Sequence, residues 1–361
     1  MALHKKSVRF NIPLHTDSCL FNLSDVEEAI KAVDSCDIYS PKFLGALRII
    51  RDCSRPSSFH RDRATRLKVA ELVASGSLHT VLASAIGFWI CNELKEDIHK
   101  DHYEVFKQLN SVLWNNTDLS LNLCKVVSVH QILKVFVQFL NHSVTSNEDK
   151  VKLESPYLVK GILAILHNCL QKLDIGEELR SLEILPVLYE IQRCLHINIK
   201  CSAELVLSYL LTEEETAQKE TSEKVIKHMT KILKSAVDGD GHYSKSYGMR
   251  ATEVMQSLNR LASSDANKQT IGKLGVLALY VELLNPNTSN ALKLHLAAKG
   301  IWTFSFKLKD QIVQEPHALE RLKLLQQHDD EAVRRAAEGA LWILEDQAEN
   351  DNTQDTGKEC M

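Results

Sequence analysis

The residues in this chain best able to do chemistry fall short of a working site in definable ways. Asp238-Gly239-Asp240-Gly241-His242 begins as an oxygen-ligand calcium loop does. Such a loop needs a glycine at its sixth position for the sharp turn and a bidentate glutamate at its twelfth. Those positions hold Tyr243 and Met249, so the segment reads as a helix-breaking loop. The fifteen histidines do not gather at metal-ligand spacing. His99 and His102, three apart, would share a helix face, but Lys95, Glu96, Asp97 and Lys100 around them mark a solvated helix end. There is no glycine-rich phosphate loop, no HExxH and no GxSxG, and no acid, base and nucleophile can be placed together. The chain therefore reads as one that binds rather than turns over, with no catalytic residues, no metal and no cofactor.

Bulk composition narrows the class further. The 361 residues are 44% hydrophobic and 25% charged, with 13 glycines, 7 prolines and only 6% aromatics. That scarcity of turn residues favours helices over a many-turned sheet protein. A net charge of -4 and a sequence pI of about 6.4 supply no strong field for nucleic acid or anionic lipid. One local basic stretch stands out, with Arg48, Arg51, Arg55, Arg61, Arg63, Arg66 and Lys68. The nine cysteines are odd in number, widely spread and without a CxxC pair, which argues against a disulfide framework or a structural zinc site. The N-terminus Met1-Ala2-Leu3-His4-Lys5-Lys6 lacks a signal-peptide core, and the longest near-apolar run, Leu78 to Cys91, is too short to span a bilayer. Asn115, Asn141 and Asn287 head sequons that are expected to go unused. The expectation is a reduced, cytoplasmic protein.

The elements that would carry binding residues are helices. Ser24 with Glu27 spells a capping box, and Pro41 and Pro156 suit first turns. Residues 41–52, 65–75, 78–91, 103–114, 121–127 and 129–140 read as successive helices, followed by a polar loop at 142–152 and a long helix at 156–173. A short helix then leads at Pro186 into a long one. Residues 202–211 are short and apolar, 212–224 are charged, and 225–237 are amphipathic. Met249 to Leu261 reads as a helix. Residues 267–302 spell a short helix, a glycine pivot at Gly275, an amphipathic helix, a Pro/Asn turn and an Ala-rich helix. Residues 316–326 and 331–344 close the series. The domain boundaries expected are a loose lead-in at 1–22, a repeat domain at 23–345 and a disordered polar tail at 346–361.

Periodicity is the strongest clue. Ala297-Ala298-Lys299-Gly300-Ile301-Trp302 is echoed by Ala336-Ala337-Glu338-Gly339-Ala340-Leu341-Trp342, with 39 residues between the glycines and 40 between the tryptophans. A unit of this length cannot bury its own apolar face and must stack on copies of itself. The small residues imply that the last helix of each unit passes close to its neighbour, with a tryptophan filling the gap between layers.

At these positions the chain resembles the armadillo-repeat family. Asn267 stands before the short helix, Gly275 lies between helices, Val276, Leu279, Leu283 and Leu284 form the apolar stripe, and Ala297, Ala298, Gly300 and Trp302 close the unit. The match is specific over about 249–344 and more degenerate upstream, where Ser111 to Asn116 would be the end of a third helix. The resemblance implies an all-α, right-handed superhelical solenoid of roughly seven to eight repeats. Import adaptors of this family clamp basic peptides with Trp and Asn four residues apart. Here Trp89, Trp114, Trp302 and Trp342 are followed at that distance by Glu93, Asp118, Phe306 and Asp346, so that role is disfavoured. The strongly basic groove of beta-catenin-like proteins is also missing from the predicted third helices. The compact C-terminal repeat also resembles the armadillo regions that precede TIR or SAM modules, which are regulatory and can bind a nicotinamide nucleotide.

The function these readings imply is non-catalytic scaffolding, or regulation as an adaptor, with a protein or peptide held along the concave face of the third helices. Arg250, Gln256, Asn259, Lys299, Lys307, Arg334 and Arg335 are the candidate contacts. One alternative is a sensor of a small metabolite or nucleotide, with Arg48, Arg51, Arg63, Arg66 and Trp89 as its ligand patch. Another is an armadillo-type regulator of a small GTPase. Nucleic acid is not an expected partner. Stacking of terminal layers between copies would give a homo-oligomer.

Overall fold

A computed structural model describes residues 23–54, 63–92, 99–147, 150–153 and 155–345. The lead-in, the tail, Arg55, Arg61, Glu93 and Asp346 lie outside these residues. The chain is an all-α solenoid of seven layers among the described residues. The first layer is α1 (Leu23–Ser35) and α2 (Pro41–Ser54), and the second α3 (Arg63–Ser75), α4 (Leu78–Cys91) and α5 (Lys100–Thr117). The third is α6 (Leu121–Val127), α7 (His130–His142) and α8 (Pro156–Leu170), with a hairpin of β1 (Val144–Asn147) and β2 (Lys150–Leu153) between its last two helices. The fourth is α9 (Gly176–Ser181), α10 (Ile184–Gln192) and α11 (Ile197–Leu210). The fifth is α12 (Glu213–Gln218), α13 (Glu223–Val237), a hairpin of β3 (Tyr243–Ser244) and β4 (Met249–Arg250), and α14 (Ala251–Leu261). The sixth is α15 (Asp265–Lys273), α16 (Val276–Leu283) and α17 (Ala291–Gln314), and the last α18 (Ala318–Leu325) and α19 (Glu331–Glu345).

The final helix of each layer packs on the final helix of the next, in the series α2, α5, α8, α11, α14, α17, α19. These inner helices meet through buried polar links as well as apolar side chains. Asn116 Nδ2 donates to Ser54 Oγ at 2.7 Å, Asn168 Nδ2 to Thr117 Oγ1 at 3.0 Å, and Asn259 Nδ2 to the Leu296 carbonyl at 2.8 Å. A buried amide left without such a partner costs about 1–3 kcal/mol, so each link sets the register of one layer on the next. The apolar core divides near α11, which contributes Leu207 and Leu210 to the N-terminal half and Cys201 and Leu205 to the C-terminal half.

Local chemistry explains the breaks. Thr212 and Glu215 form a reciprocal capping box at α12, and Ser120 and Asn290 cap α6 and α17 by accepting from Leu123 N and Lys293 N. Gly275 turns between α15 and α16 at φ 72°, a left-handed conformation that costs glycine least. Gly300 answers the expected close approach: a Cβ there would lie 2.7 Å from Tyr280 Cδ1 and 2.6 Å from Asn259 Oδ1. Asn267 has a clear task. Buried in α15, it accepts from Thr221 N and donates to the Lys219 and Leu261 carbonyls, pinning the loop of the preceding layer.

Three local expectations are corrected. The polar stretch 142–152 contains an antiparallel hairpin, Val144 pairing with Leu153. Met249 and Arg250 are extended rather than helical, because they pair with Ser244 and Tyr243. The glycines, not the tryptophans, set the register of the last two layers. Trp342 lies three residues after Gly339, whereas Trp302 lies two after Gly300. One residue is about 100° around a helix. Trp302 therefore fills the gap between layers, seated on Gly339, while Trp342 turns to solvent at 68% exposure.

Candidate functional site

The inner face offers two different surfaces. In the middle of the solenoid the β3–β4 hairpin packs on α13 and α14, and its tip faces α8 and α11. Tyr247, Gly248 and Met249 enclose a cavity of about 100 Å³ together with Trp114, Lys160, His167 and Leu205. The strap is fastened across the groove: Arg250 reaches Asp118, just past the end of α5, at 3.4 Å, and Arg66 of α3 approaches the same carboxylate oxygen at 3.9 Å. Glu253, in the first turn of α14, accepts from the Arg250 backbone N–H at 3.0 Å. Its carboxyl is buried, and that burial, with Asp118 nearby, raises its pKa to about 7. His167 in the same cavity is pushed down to about 4 by burial, with Lys172 adding to the shift.

The cations of this central face are already engaged. Lys160 sits 5.3 Å over the Trp114 ring, Lys107 5.7 Å over Tyr157, and Arg260 4.6 Å over Tyr209. Each pair joins successive inner helices. Gln256 is occupied likewise, accepting from Tyr209 Oη at 2.7 Å.

Beyond α14 the inner face is open. Trp302 is 37% exposed, and Phe306, one turn further along α17, is 63% exposed. Trp342 on α19, in the last layer, is 68% exposed. Lys299 and Arg335 are exposed on the same two helices, with Glu338 between Arg335 and Trp342.

The candidate residues sort accordingly. Lys299 and Arg335 are exposed on the open part, the latter in an i,i+4 pair with Glu331. Lys307 is exposed and 4.0 Å from Asp265. Arg250 fastens the strap instead of facing a partner. Asn259 is buried, accepting from Tyr280 Oη at 2.8 Å while it donates to Leu296, so it offers no contact. Arg334 donates to the His328 and Asp329 carbonyls and closes the loop before α19. In the second patch, Trp89 is only 3% exposed and packs against Phe106 at 6.0 Å, so it provides no platform. Arg51 bonds Gln108 and Asp52, and Arg66 turns to Asp118, while Arg48 and Arg63 are exposed. These residues do not gather around a shared pocket.

Two features escaped the sequence reading. The strap has no strong propensity signal, since Tyr243 to Arg250 is a short run of mixed polarity. Phe306 had a signal, its place four residues after Trp302, which marks one helix face.

No family model matches this chain, and no curated protein does. Solved structures do. A designed armadillo repeat protein in complex with the peptide (KR)4 is 15% identical with a TM-score of 0.38, covering 73% of this chain and 98% of its own. A second designed armadillo repeat protein is 15% identical with a TM-score of 0.32, covering 88% and 99%. A structure described as "A conserved phosphorylation switch controls the interaction between cadherin and beta-catenin in vitro and in vivo" is 13% identical with a TM-score of 0.44, covering 91% and 65%. The seven layers themselves, with the Asn267, Gly275 and Gly300 contacts, define the architecture as an armadillo-like solenoid. No single helix among the described residues is long and apolar enough to cross a membrane. Two bent pairs, α3 with α4 and α6 with α7, are so by length and composition alone.

Proposed function

We propose that this chain is a non-catalytic binding scaffold, acting as a regulatory adaptor, that captures a protein segment on the inner face of its last two layers. The observation that carries this reading is the exposed run of Trp302, Phe306 and Trp342 on successive inner helices. Exposed aromatic side chains grouped on a concave surface suit partner capture, because their apolar area stays hydrated until something covers it. Phenylalanine at position 306 has no polar group to bond an extended peptide backbone. The partner suited to this face therefore presents apolar side chains, as an amphipathic helix does, with charges that meet Lys299 and Arg335. The cavity under the strap, at about 100 Å³, is well below the roughly 300–1,000 Å³ of small-molecule pockets, so it is not proposed as a metabolite site.

The test is affinity capture from source cells with the wild-type chain and with the double variant Phe306→Ala/Trp342→Ala. A stoichiometric partner retained by wild type and lost by the variant, with unchanged helical content, is the expected result. A partner held equally by both overturns this face as the site. A second copy of the chain as the captured partner, checked by sedimentation, would make the same face a homo-oligomer contact.

A further inference from the structure

A cleft of about 420 Å³ lies where the α10–α11 connection meets the first turns of α13. Arg193 and Lys200 line it from one side, and Lys224, Lys227, His228 and Lys231 from α13. No aspartate or glutamate is among its lining residues, in a chain whose net charge is -4. Lys224, Lys227 and Lys231 recur at three- and four-residue spacing, so their ammonium groups share one helix face. Arg193 is held by Glu190 at 3.0 Å, whereas none of the four lysines has a carboxylate partner among the described residues. Gathering like charges around a cleft costs free energy unless an anion occupies it.

Two further features lie beside the cleft. The Nε2 atom of His228 is buried without a hydrogen-bond partner, while its ring meets Tyr247 edge-on at 5.5 Å. α11 and α13, of fourteen and fifteen residues, both begin here without a side-chain cap, which leaves first-turn N–H groups available to an acceptor. The His228 pKa is lowered by burial and then by Lys231 and Lys160, the repulsion expected in a site with excess positive charge.

We infer that this cleft binds a compact anion carrying several phosphate groups. Lysine ammoniums are flexible point charges suited to clustered phosphate oxygens, and a single carboxylate would leave most of them unmatched. The same chemistry is found in a free polyphosphorylated metabolite and in a phosphorylated lipid headgroup. Leu195, 78% exposed and lining the cleft, bears on the second source, since an apolar side chain beside a basic site can enter a bilayer surface.

The probe for the free source is inositol hexakisphosphate, titrated calorimetrically into the full chain, and for the lipid source phosphatidylcholine vesicles with and without phosphatidylinositol bisphosphate. Wild type is expected to bind at least one of these, with affinity falling as salt rises. Lys227→Glu/Lys231→Glu is expected to weaken binding about tenfold or more, given solvent screening of exposed charges. Both positions are exposed, so circular dichroism should show an unchanged fold. Vesicle binding that drops in Leu195→Ser, with binding of the soluble anion unchanged, assigns the lipid source. Binding of the soluble anion alone assigns the free one. Absence of binding to either probe, or equal binding by the double-lysine variant, overturns the site. The Phe306→Ala/Trp342→Ala variant should bind both probes as wild type does, so this inference and the scaffold reading fail separately.

Discussion

Between α5 and α14 the inner groove is closed by the chain's own hairpin, whereas over α17 and α19 it stands open. The two stretches share helices, layer spacing and the same kind of buried asparagine link. They differ in what covers the inner face. In the middle, Tyr247, Gly248 and Met249 face α8 and α11 across a small cavity, Arg250 and Arg66 converge on Asp118, and Lys160 and Arg260 sit over aromatic rings. At the C-terminal end, Trp302, Phe306 and Trp342 meet solvent. A surface satisfied within the fold has little to gain from a partner, while an apolar surface left in water has its full burial still to gain. This contrast is the reason partner capture is proposed at the open end, although the central groove holds the ion pairs and ring-stacked cations.

The largest effect that would sharpen this contrast is at Gly300. Gly300→Leu drives a side chain into Tyr280 and Asn259, and a loss of about 3 kcal/mol is expected in chemical denaturation. Hydrogen exchange should show the loss concentrated in α14 to α19, leaving the strapped half protected.

The next effect is on pH dependence. Glu253 stands at about 7 in the fold against 4.5 in the unfolded chain, so its stabilising contribution is complete below about 4.5 and is lost as pH rises through about 7. His167 has the opposite sign. Its pKa is about 4 in the fold against 6.5 unfolded, so its contribution is present above 6.5 and is lost as pH falls through about 4. The two slopes oppose each other between 4.5 and 6.5. Glu253→Gln should remove one and expose the other, giving an unfolding free energy that falls toward acid more steeply than in wild type, by an amount on the order of 1–3 kcal/mol. An unchanged profile would show that the strap does not bury this carboxyl.

Smaller again is release of the strap. Arg250→Ala should cost about 1 kcal/mol, because the ion pair to Asp118 is partly exposed and screened. Exchange at residues 243–250 should quicken without change in the C-terminal layers. Phe306→Ala/Trp342→Ala is expected to move stability least, within about 0.5 kcal/mol, since both side chains are exposed, yet to abolish partner capture. A large destabilisation by that pair would mean the open face is packing surface and would erase the difference between the two regions.

Much of this architecture was legible in the chain. The spacing of Gly275, Ala297, Ala298 and Gly300 identified the repeat and its close contact, because a missing side chain where two helices touch leaves a compositional mark. Upstream layers were harder to delimit, since their contacts run through Asn116, Ser54, Asn168 and Thr117, ordinary residues with no pattern of their own. The candidate site was read less well. Asn259 and Arg334 are polar residues near inner-helix faces, but whether such a residue meets solvent or a carbonyl depends on a neighbour 37 residues away, Leu296, in one case and a local loop in the other. The lysines of α13 carried a helical-face signal at 224, 227 and 231, yet their convergence with Arg193 and Lys200 required the fold.

The sequence by itself determined the helices, the repeat length of about forty residues and the need to stack, because these follow from local propensity and from apolar faces that no single unit can bury. Only the tertiary structure decided which inner surface is covered and which is free. The hairpin reaches from layer five to Asp118 in layer two, a separation of 132 residues for the Arg250 contact. The one-residue difference between Trp302 and Trp342 rotates one ring onto Gly339 and the other into water. The hairpin contact is a relation between distant segments that short-range patterning does not encode, and the ring's seat on Gly339 needs the stacking of one layer on the next.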